Sequence, residues 1–462
     1  MLVTMPNQRQ LVAFIAFALT AAVLLRLLFT SSGLGSVWHK EPEKPPPHPT
    51  YKPKPTFTPP PVKDNFPLLA TSTPPPVPKW NAPAKDLYKE YNLRIAPPLL
   101  IGFTRTWPIL LQCVVSYITA GWPPEQIYVV ENTGVQQANA RGQLTLQNQF
   151  YLNHTTLKTL GVNIVQTPTL LSFAQLQNFY LSLTYANNWP YYFWSHQDVL
   201  ALSYEDGHKL TPKATEPGFK SLYKLALEAL KATVKGDPHW GIRFFAYDHL
   251  ALVNPKAYED VGGWDTLIPY YITDCDMHSR LRMRNWTMED AKAGIITDVA
   301  TALDDLRALY RVDGVEPVFT DPNPPPPKEP EPKRGWFGKR GVMDPETEEA
   351  LAGLLSRRGD VRSNGPPEDQ LNQWRKLLQV SDSMYHYKHG ERGRNTWQLG
   401  QQGGKGEPFY YPTAGLAEGI DVMTETGREV FRRKWGHRDC DLITGRGLGF
   451  EDQWLVMKDW ED

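Results

Sequence analysis

Between Leu99 and Val253 the chain alternates short apolar runs with longer stretches of helical spacing, and this alternation leaves few folds open to it. Leu99-Leu100-Ile101-Gly102-Phe103 is a continuous apolar run of strand length and reads as a buried strand. Thr106-Trp107-Pro108 then opens a helix, with Thr106 able to cap and proline tolerated in the first turn. That helix reaches about Ala120 and stops at Gly121-Trp122-Pro123-Pro124. Ile127 to Val130 is the next strand, Gln136 to Leu160 a polar helical stretch, and Val162 to Val165 a short strand. Ser172 to Asn188 is helical, with Phe173, Leu176, Phe179 and Leu183 on one stripe. Tyr191 to Trp194 is a strand, Pro217 to Lys235 a helix, and Ile242 to Tyr247 and Leu250 to Val253 are strands. Strands joined through helices predict an α/β domain, a mostly parallel sheet sandwiched by helices.

The flanks read differently. Leu11 to Phe29 is apolar except for Thr20 and Arg26, about the length that crosses a bilayer. With no clean small-residue cleavage site after it, the run predicts a signal anchor in residues 1–30 rather than a cleaved signal peptide. Residues 31–92 read as a stalk, punctuated by Pro45-Pro46-Pro47, Pro59-Pro60-Pro61 and Pro74-Pro75-Pro76, which favour extended states over a core. The globular domain is expected over 93–320, followed by a Pro- and charge-rich insertion over 321–370 with a short helix around Pro345 to Leu355. Residues 371–462 return to aromatic-rich sequence and complete the domain.

The 462 residues carry 49 Lys+Arg against 50 Asp+Glu, a net charge of -1, which argues against a nucleic-acid-binding surface. Cys113, Cys275 and Cys440 show no C-x-x-C spacing, so a structural zinc site is not expected. A Cys275–Cys440 disulfide needs an oxidising compartment, and the sequence does not settle the pairing. Asn153-His154-Thr155 and Asn285-Trp286-Thr287 are glycosylation sequons; Asn153, in a polar stretch, is expected to be the glycosylated one, and Asn285, near the Thr273–Asp276 helix, to be shielded.

Ligands of open α/β sheets bind beyond the carboxyl ends of the strands. Three such ends here carry polar residues: Thr104 and Arg105, Glu131 and Asn132, and His196 with Asp198. His196 and Asp198, two apart, share a face and offer an imidazole and a carboxylate to a divalent ion such as Mn²⁺ or Mg²⁺; hydrogen bonding to a loop is the alternative. Further on, Gly262-Gly263-Trp264-Asp265 must turn, and Thr273-Asp274-Cys275-Asp276 opens a helix. Carboxylates at a helix start are often caps, and Thr273-x-x-Asp276 is close to a capping box.

Taken together, these segments resemble the family 2-type, GT-A fold glycosyltransferases, especially their membrane-anchored fungal group. The likeness spans roughly Leu99 to Trp286, with a weaker echo near the C-terminus. It implies a donor site at Thr104, Arg105, Glu131, Asn132, His196 and Asp198, where His196-Gln197-Asp198 stands in the place of an Asp-x-Asp metal motif. It further implies an acceptor side formed by Gly262, Gly263, Trp264 and Asp265, with Trp264 stacking on a sugar ring. Asp274 becomes the general base of an inverting transfer; Asp276, which Arg280 can pair at i,i+4, is kept in the site with a structural role as the favoured reading, and His437 is read as structural with a late metal ligand beside Asp198 and His196 as the alternative. The implied partners are a nucleotide-sugar donor and a glycan acceptor, the implied cofactor a divalent metal, and the implied setting a single-pass type II Golgi protein with a lumenal domain. Thr273 in place of Glu, and His196 in place of Asp, keep open the alternative of a catalytically inactive, sugar-binding or scaffolding relative.

Overall fold

The computed structural model describes residues 16–26, 48–53, 61–321, 365–390, 406–408 and 411–461. It separates into two compact units, Met1–Thr58 and Pro59–Asp462. In the first, residues 16–26 are helical. Among the described residues no helix is long and apolar enough to cross a membrane, and the rest of the Leu11 to Phe29 run lies outside them. The helix expected around Pro345 to Leu355 also lies outside them.

The second unit begins well before residue 93. Phe66 and Leu69 are buried in the main core, with the Phe66 ring 5.8 Å from that of Tyr310, and Leu306 N–H donates to Asn65 O at 2.9 Å. Proline punctuation suggested an extended stalk here, but Phe66-Pro67-Leu68-Leu69 carries enough apolar surface to dock.

The strands are β1 (Leu99–Phe103), β2 (Ile127–Glu131), β3 (Asn163–Gln166), β4 (Tyr192–Ser195), β5 (Val199–Leu202), β6 (Trp240–Phe244), β7 (Leu250–Val253), β8 (Thr287–Asp290) and β9 (Ile295–Asp298). Seven form one sheet in the order β3-β2-β1-β4-β7-β6-β8, while β5 and β9 pair separately. β1, β2, β3 and β4 run parallel, as do β6 and β8; β7 runs antiparallel to both its neighbours. Residues 245–249, which join β6 to β7, are too few for a crossover, so that pair must form a hairpin. The mostly parallel α/β sheet expected from the alternation is therefore present, consistent with a Rossmann-like, GT-A architecture.

Both faces are covered. Leu99, Ile101 and Phe103 belong to one buried cluster and Leu100 to the other, the alternation of a strand buried on two sides. Helices α1 (Trp107–Thr119) and α5 (Leu222–Gly236) fill the first side. Helices α4 (Phe173–Asn187), α6 (Pro255–Asp260) and α7 (Thr273–Met283) fill the second. The single helix expected over Gln136 to Leu160 is instead two short ones, α2 (Gln136–Ala140) and α3 (His154–Thr159). Gly142 in the left-handed region ends the first, and the Asn153 side chain caps the second by accepting from Thr156 N. The C-terminal part contributes two long helices, α8 (Pro367–His389) and α9 (Thr413–Trp435). Helix α8 docks on β9, where Ser381 Oγ donates to Thr297 Oγ1 at 2.6 Å. Helix α9 crosses the β7–α7 connection closely; a Cβ on Gly427 would come within 2.9 Å of Pro269 Cδ.

Candidate functional site

The carboxyl ends of β1, β2 and β4 lie side by side in the sheet, and a buried hydrogen-bond network stitches their loops together. Gln197 accepts from Thr104 N at 3.3 Å and donates to Arg105 O at 2.7 Å. Asn132 donates to Thr104 Oγ1 at 3.3 Å and Leu171 O at 2.9 Å, and accepts from Leu171 N at 2.7 Å. Thr106 does not cap with its side chain; it adopts a left-handed conformation and its N–H donates to Gln149 O. Gln197, passed over in the sequence as the middle of His196-Gln197-Asp198, fixes the β1 loop to the β4 end. The Arg105 side chain is buried, and that burial lowers its guanidinium to about 10.

Glu131 does not present itself to a ligand. It is fully buried, and its carboxylate accepts from His154 Nε2 at 2.9 Å, Gln166 Nε2 at 3.0 Å and Asn139 Nδ2 at 2.8 Å. Burial pushes the carboxyl up, but these hydrogen bonds outweigh it and hold it below its usual range. Glu131, named above for the donor site, ties β2 to α2, α3 and β3.

Asp198 sits at the centre of a charged cluster. The register of β5 and β9 sets Val199 opposite Asp298, so Asp198 and Asp298 become neighbours. The Lys388 ammonium, from the last turn of α8, lies between them at 2.6 Å from Asp198 Oδ2 and 2.5 Å from Asp298 Oδ1. His389 Nε2 is 3.0 Å from Asp298 Oδ2, and His249 Nε2 is 3.8 Å from the same oxygen. His196 stands between Asp198 and Asp248, 3.6 Å from a carboxylate oxygen of each. Burial alone would lower the His196 imidazole, but Asp248 and Asp198 push it up to about 10. Asp198 is held well below the carboxylate range, burial being overcome by Lys388 and His196.

The cluster continues to Asp274. Asp248 is flanked in sequence by Tyr247, whose hydroxyl donates to Asp274 Oδ2 at 3.2 Å. Asp274 is half-buried at the start of α7, and no side chain caps that helix, so neither Asp274 nor Asp276 is an N-cap. Ile272 and Tyr247 both have positive φ, 73° and 49°, a conformation that costs a branched or bulky residue about 1–3 kcal/mol and clusters at functional sites. One α7 turn on, His278 is held below its usual range by burial, against the pull of Asp274 and Asp248. A cavity of about 310 Å³ opens here, lined by Phe244, Tyr247, His278, Arg282, Met288 and Asp290.

The residues expected on the acceptor side are engaged within the protein. Gly262 and Gly263 form the turn with φ of 83° and 73°, and a Cβ on Gly263 would lie 2.8 Å from Asn178 Oδ1. Asn178 grips the next residue, accepting from Trp264 N and donating to Trp264 O, both at 2.8 Å. Trp264 is thereby drawn into the core, edge-on to Phe173 at 5.5 Å, and offers no face for a sugar ring to stack on. Asp265 is bound by Lys434 at 2.7 Å. Asp276 is fully buried; Arg280 pairs with it at 2.8 Å, Lys434 at 2.8 Å, and Trp435 Nε1 donates to it at 2.9 Å. The Arg280 pair is the one that the i,i+4 spacing offered. A Cys275–Cys440 disulfide ties this part of α7 to the segment after α9. The sequons also exchange roles: Asn285 is exposed, while Asn153 is half-buried.

The divalent ion implied by the resemblance is not matched by these residues. His437 Nδ1 is bound to Asp459 at 2.6 Å. The two ring nitrogens of His196 face Asp198 and Asp248, each at 3.6 Å. The point on which Asp198 and Asp298 converge is held by the Lys388 ammonium, and among the described residues no group of three or more His, Cys, Asp or Glu is arranged to hold a metal ion.

Strand order and register define a Rossmann-like α/β protein with a charged cluster at its topological switch. No family model matches the chain, and no curated protein matches it in sequence. Among solved structures, it is similar to the mannosyltransferase PcManGT of Pyrobaculum calidifontis, in complex with GDP-Man and Mn²⁺, at 12% identity and a TM-score of 0.30, over 74% of this chain and 89% of that one. A cytidylyltransferase of Leptospira borgpetersenii is similar at 10% identity and a TM-score of 0.27, over 47% of this chain and 87% of that one.

Proposed function

We propose that the chain is an inverting glycosyltransferase acting on a nucleotide-sugar donor and a glycan or glycoconjugate acceptor, with Asp274 as general base. The observation that carries this reading is the continuous line from Asp198 through His196 and Asp248 to Tyr247 and Asp274, which joins the strand ends to a half-buried carboxylate beside a cavity. The donor diphosphate lies over the β1 and β4 ends. The acceptor hydroxyl reaches Asp274 from the Phe244–His278 side. Asp274 takes the hydroxyl proton as the acceptor oxygen bonds to the anomeric carbon, and the bond to the diphosphate breaks with its electron pair leaving on phosphate oxygen. Tyr247 holds the carboxylate in direction through its hydroxyl.

The Cys275–Cys440 disulfide and the exposed Asn285 sequon favour a lumenal, oxidising location, in keeping with a signal anchor in residues 1–30. The test is release of nucleoside diphosphate from a panel of nucleotide sugars by the purified chain, with and without candidate acceptors. Turnover lost in Asp274→Asn while donor binding persists supports the reading. Donor binding without turnover in the native chain favours the inactive sugar-binding alternative, and absence of both rejects a nucleotide-sugar site.

A further inference from the structure

We propose that Lys388 is the resident cation of this site, and that its ammonium contacts the diphosphate of the donor in place of a divalent metal ion. This rests on the nucleotide-sugar reading above and adds to it the residue that meets the leaving group's charge.

Leu377, Ser381, Met384 and Lys388 form the buried stripe of α8, so a lysine stands where helical periodicity calls for an apolar residue. Burying an ammonium costs several kcal/mol unless it is paired. Here it is paired twice, with carboxylates from two segments that the β5–β9 register brings together. Carboxylates that converge on one point beside imidazoles are a donor set for a hard or borderline divalent ion. The protein fills that point with its own charge. Two of the three ammonium protons go to Asp198 and Asp298, and the third is left to donate to a phosphate oxygen.

A second lysine provides the internal contrast. Lys434 also bridges two aspartates, Asp265 and Asp276, at 2.7 and 2.8 Å. Around it, Arg280 and Trp435 fill the remaining positions on Asp276, inside the core formed by Ile268, Phe431, Trp435 and Leu442. Around Lys388 stand His196, His249 and His389 instead, with side chains 29%, 21% and 38% exposed. The Lys388 and Lys434 side chains are buried alike, 7% and 4% exposed, but the Lys434 bridge is walled by packing, whereas the Lys388 bridge has partly exposed imidazoles between it and the strand ends.

The experiment uses the full chain, Lys388→Met, Lys388→Arg, and Lys434→Met as the packing control. Mn²⁺ alone is titrated and followed by electron paramagnetic resonance. GDP and UDP are titrated by calorimetry in chelator and in Mn²⁺. The native chain should take up no Mn²⁺ at this site and bind nucleoside diphosphate equally well in chelator. Lys388→Met should gain Mn²⁺ binding through the freed carboxylates, lose tenfold or more in nucleoside diphosphate affinity in chelator, and recover it with Mn²⁺. Lys388→Arg should bind nucleoside diphosphate without metal, which also covers the case in which Lys388→Met fails to fold. Lys434→Met should acquire no Mn²⁺ binding per folded molecule. Mn²⁺ bound stoichiometrically by the native chain and required for nucleoside diphosphate binding would overturn the proposal. If neither GDP nor UDP binds the native chain with or without Mn²⁺, the transferase reading fails; the Mn²⁺ titration still decides whether Lys388 fills a cation position, and no gain in Lys388→Met overturns that too.

Discussion

Two lysines from the C-terminal helices each bridge a pair of aspartates presented by the sheet domain, and the two bridges differ in everything but that geometry. Lys434 joins Asp265 and Asp276 within a region walled by Trp435, Phe431, Arg280 and the Cys275–Cys440 disulfide. Lys388 joins Asp198 and Asp298 at the strand ends, among imidazoles and in line with Asp274 through Asp248 and Tyr247. Motif matching places Asp265 on the acceptor side, after Gly262-Gly263-Trp264, and Asp276 beside the base at the start of α7. Their neighbours decide otherwise. An aspartate whose oxygens are already met by arginine, lysine and indole has no lone pair left for a substrate, whereas Asp274, two residues from Asp276, accepts from Tyr247 and stays half-exposed.

If the Lys434 bridge is architecture, breaking it carries the largest expected effect. Lys434→Met leaves Asp276 facing Arg280 and Trp435, and Asp265 without its ion pair; removing one partner of a buried pair costs roughly 3–5 kcal/mol. Chemical denaturation should show that loss, with nucleoside diphosphate affinity per folded molecule unchanged. A loss of nucleoside diphosphate affinity per folded Lys434→Met molecule would make this bridge part of the site. Replacing Cys275 and Cys440 by serine probes the same wall. The disulfide closes a loop across a sequence separation of 165 residues. Its removal should cost roughly 2–4 kcal/mol, again without moving ligand affinity. A large change in affinity with little change in stability would place the disulfide in the site instead.

The opposite pattern is expected two residues from Asp276. Asp274→Asn removes a proton acceptor and keeps the side-chain shape, so transfer should fall by roughly 10²-fold or more, the scale of a lost general base. The unfolding midpoint should hold, because the lost contact is one hydrogen bond from a tyrosine at the surface. A lower midpoint with turnover per folded molecule intact would make Asp274 one more structural carboxylate, and the contrast with Asp276 would collapse.

The fold was legible because burial on both faces forces continuous apolar strands, and Leu99 to Phe103, Tyr191 to Trp194 and Leu250 to Val253 all read that way. β5, β8 and β9 were missed for reasons other than length, since β4 and β7 are equally short: β8 and β9 are only partly buried and carry Glu289, Asp290 and Asp298, and only three residues separate β5 from the end of β4. The β4 end was legible, since His196 and Asp198 follow an aromatic strand directly. Their partners were not. Asp298 reaches Asp198 only through strand pairing across about a hundred residues, and Lys388 crosses a longer gap. One local signal did exist: a lysine on the apolar stripe of α8 announces a buried counter-charge. Trp264 misled because an aromatic after paired glycines looks the same whether it faces a sugar or the core, and Asn178, which decides the matter, lies on α4.

The smallest expected effect separates the bridges by pH. His196 flanks the Lys388 bridge, and its folded-state pKa is raised to about 10 by Asp248 and Asp198. A histidine raised on folding stabilises fully below its unfolded value of about 6.5, and that stabilisation is lost as pH rises towards the folded value. Stability should therefore decline between about pH 6.5 and 10. His249 and His278, both lowered by burial, act on the acid side of this window and leave it clear. At the other bridge the relevant shift has the opposite sign: although burial raises it, Lys434 holds Asp265 below its usual range, so its contribution is present at neutral pH and lost on acidification. His196→Gln should flatten the alkaline decline and leave the acid limb in place, as read by thermal unfolding midpoints across the range. Because His196 is partly exposed and its carboxylates stand at 3.6 Å, solvent reduces the effect, and its direction rather than its size is the test. An alkaline decline of unchanged slope in His196→Gln would mean that the imidazole is neutral in the folded protein, and would return its ring nitrogens to the list of groups free to ligate a metal.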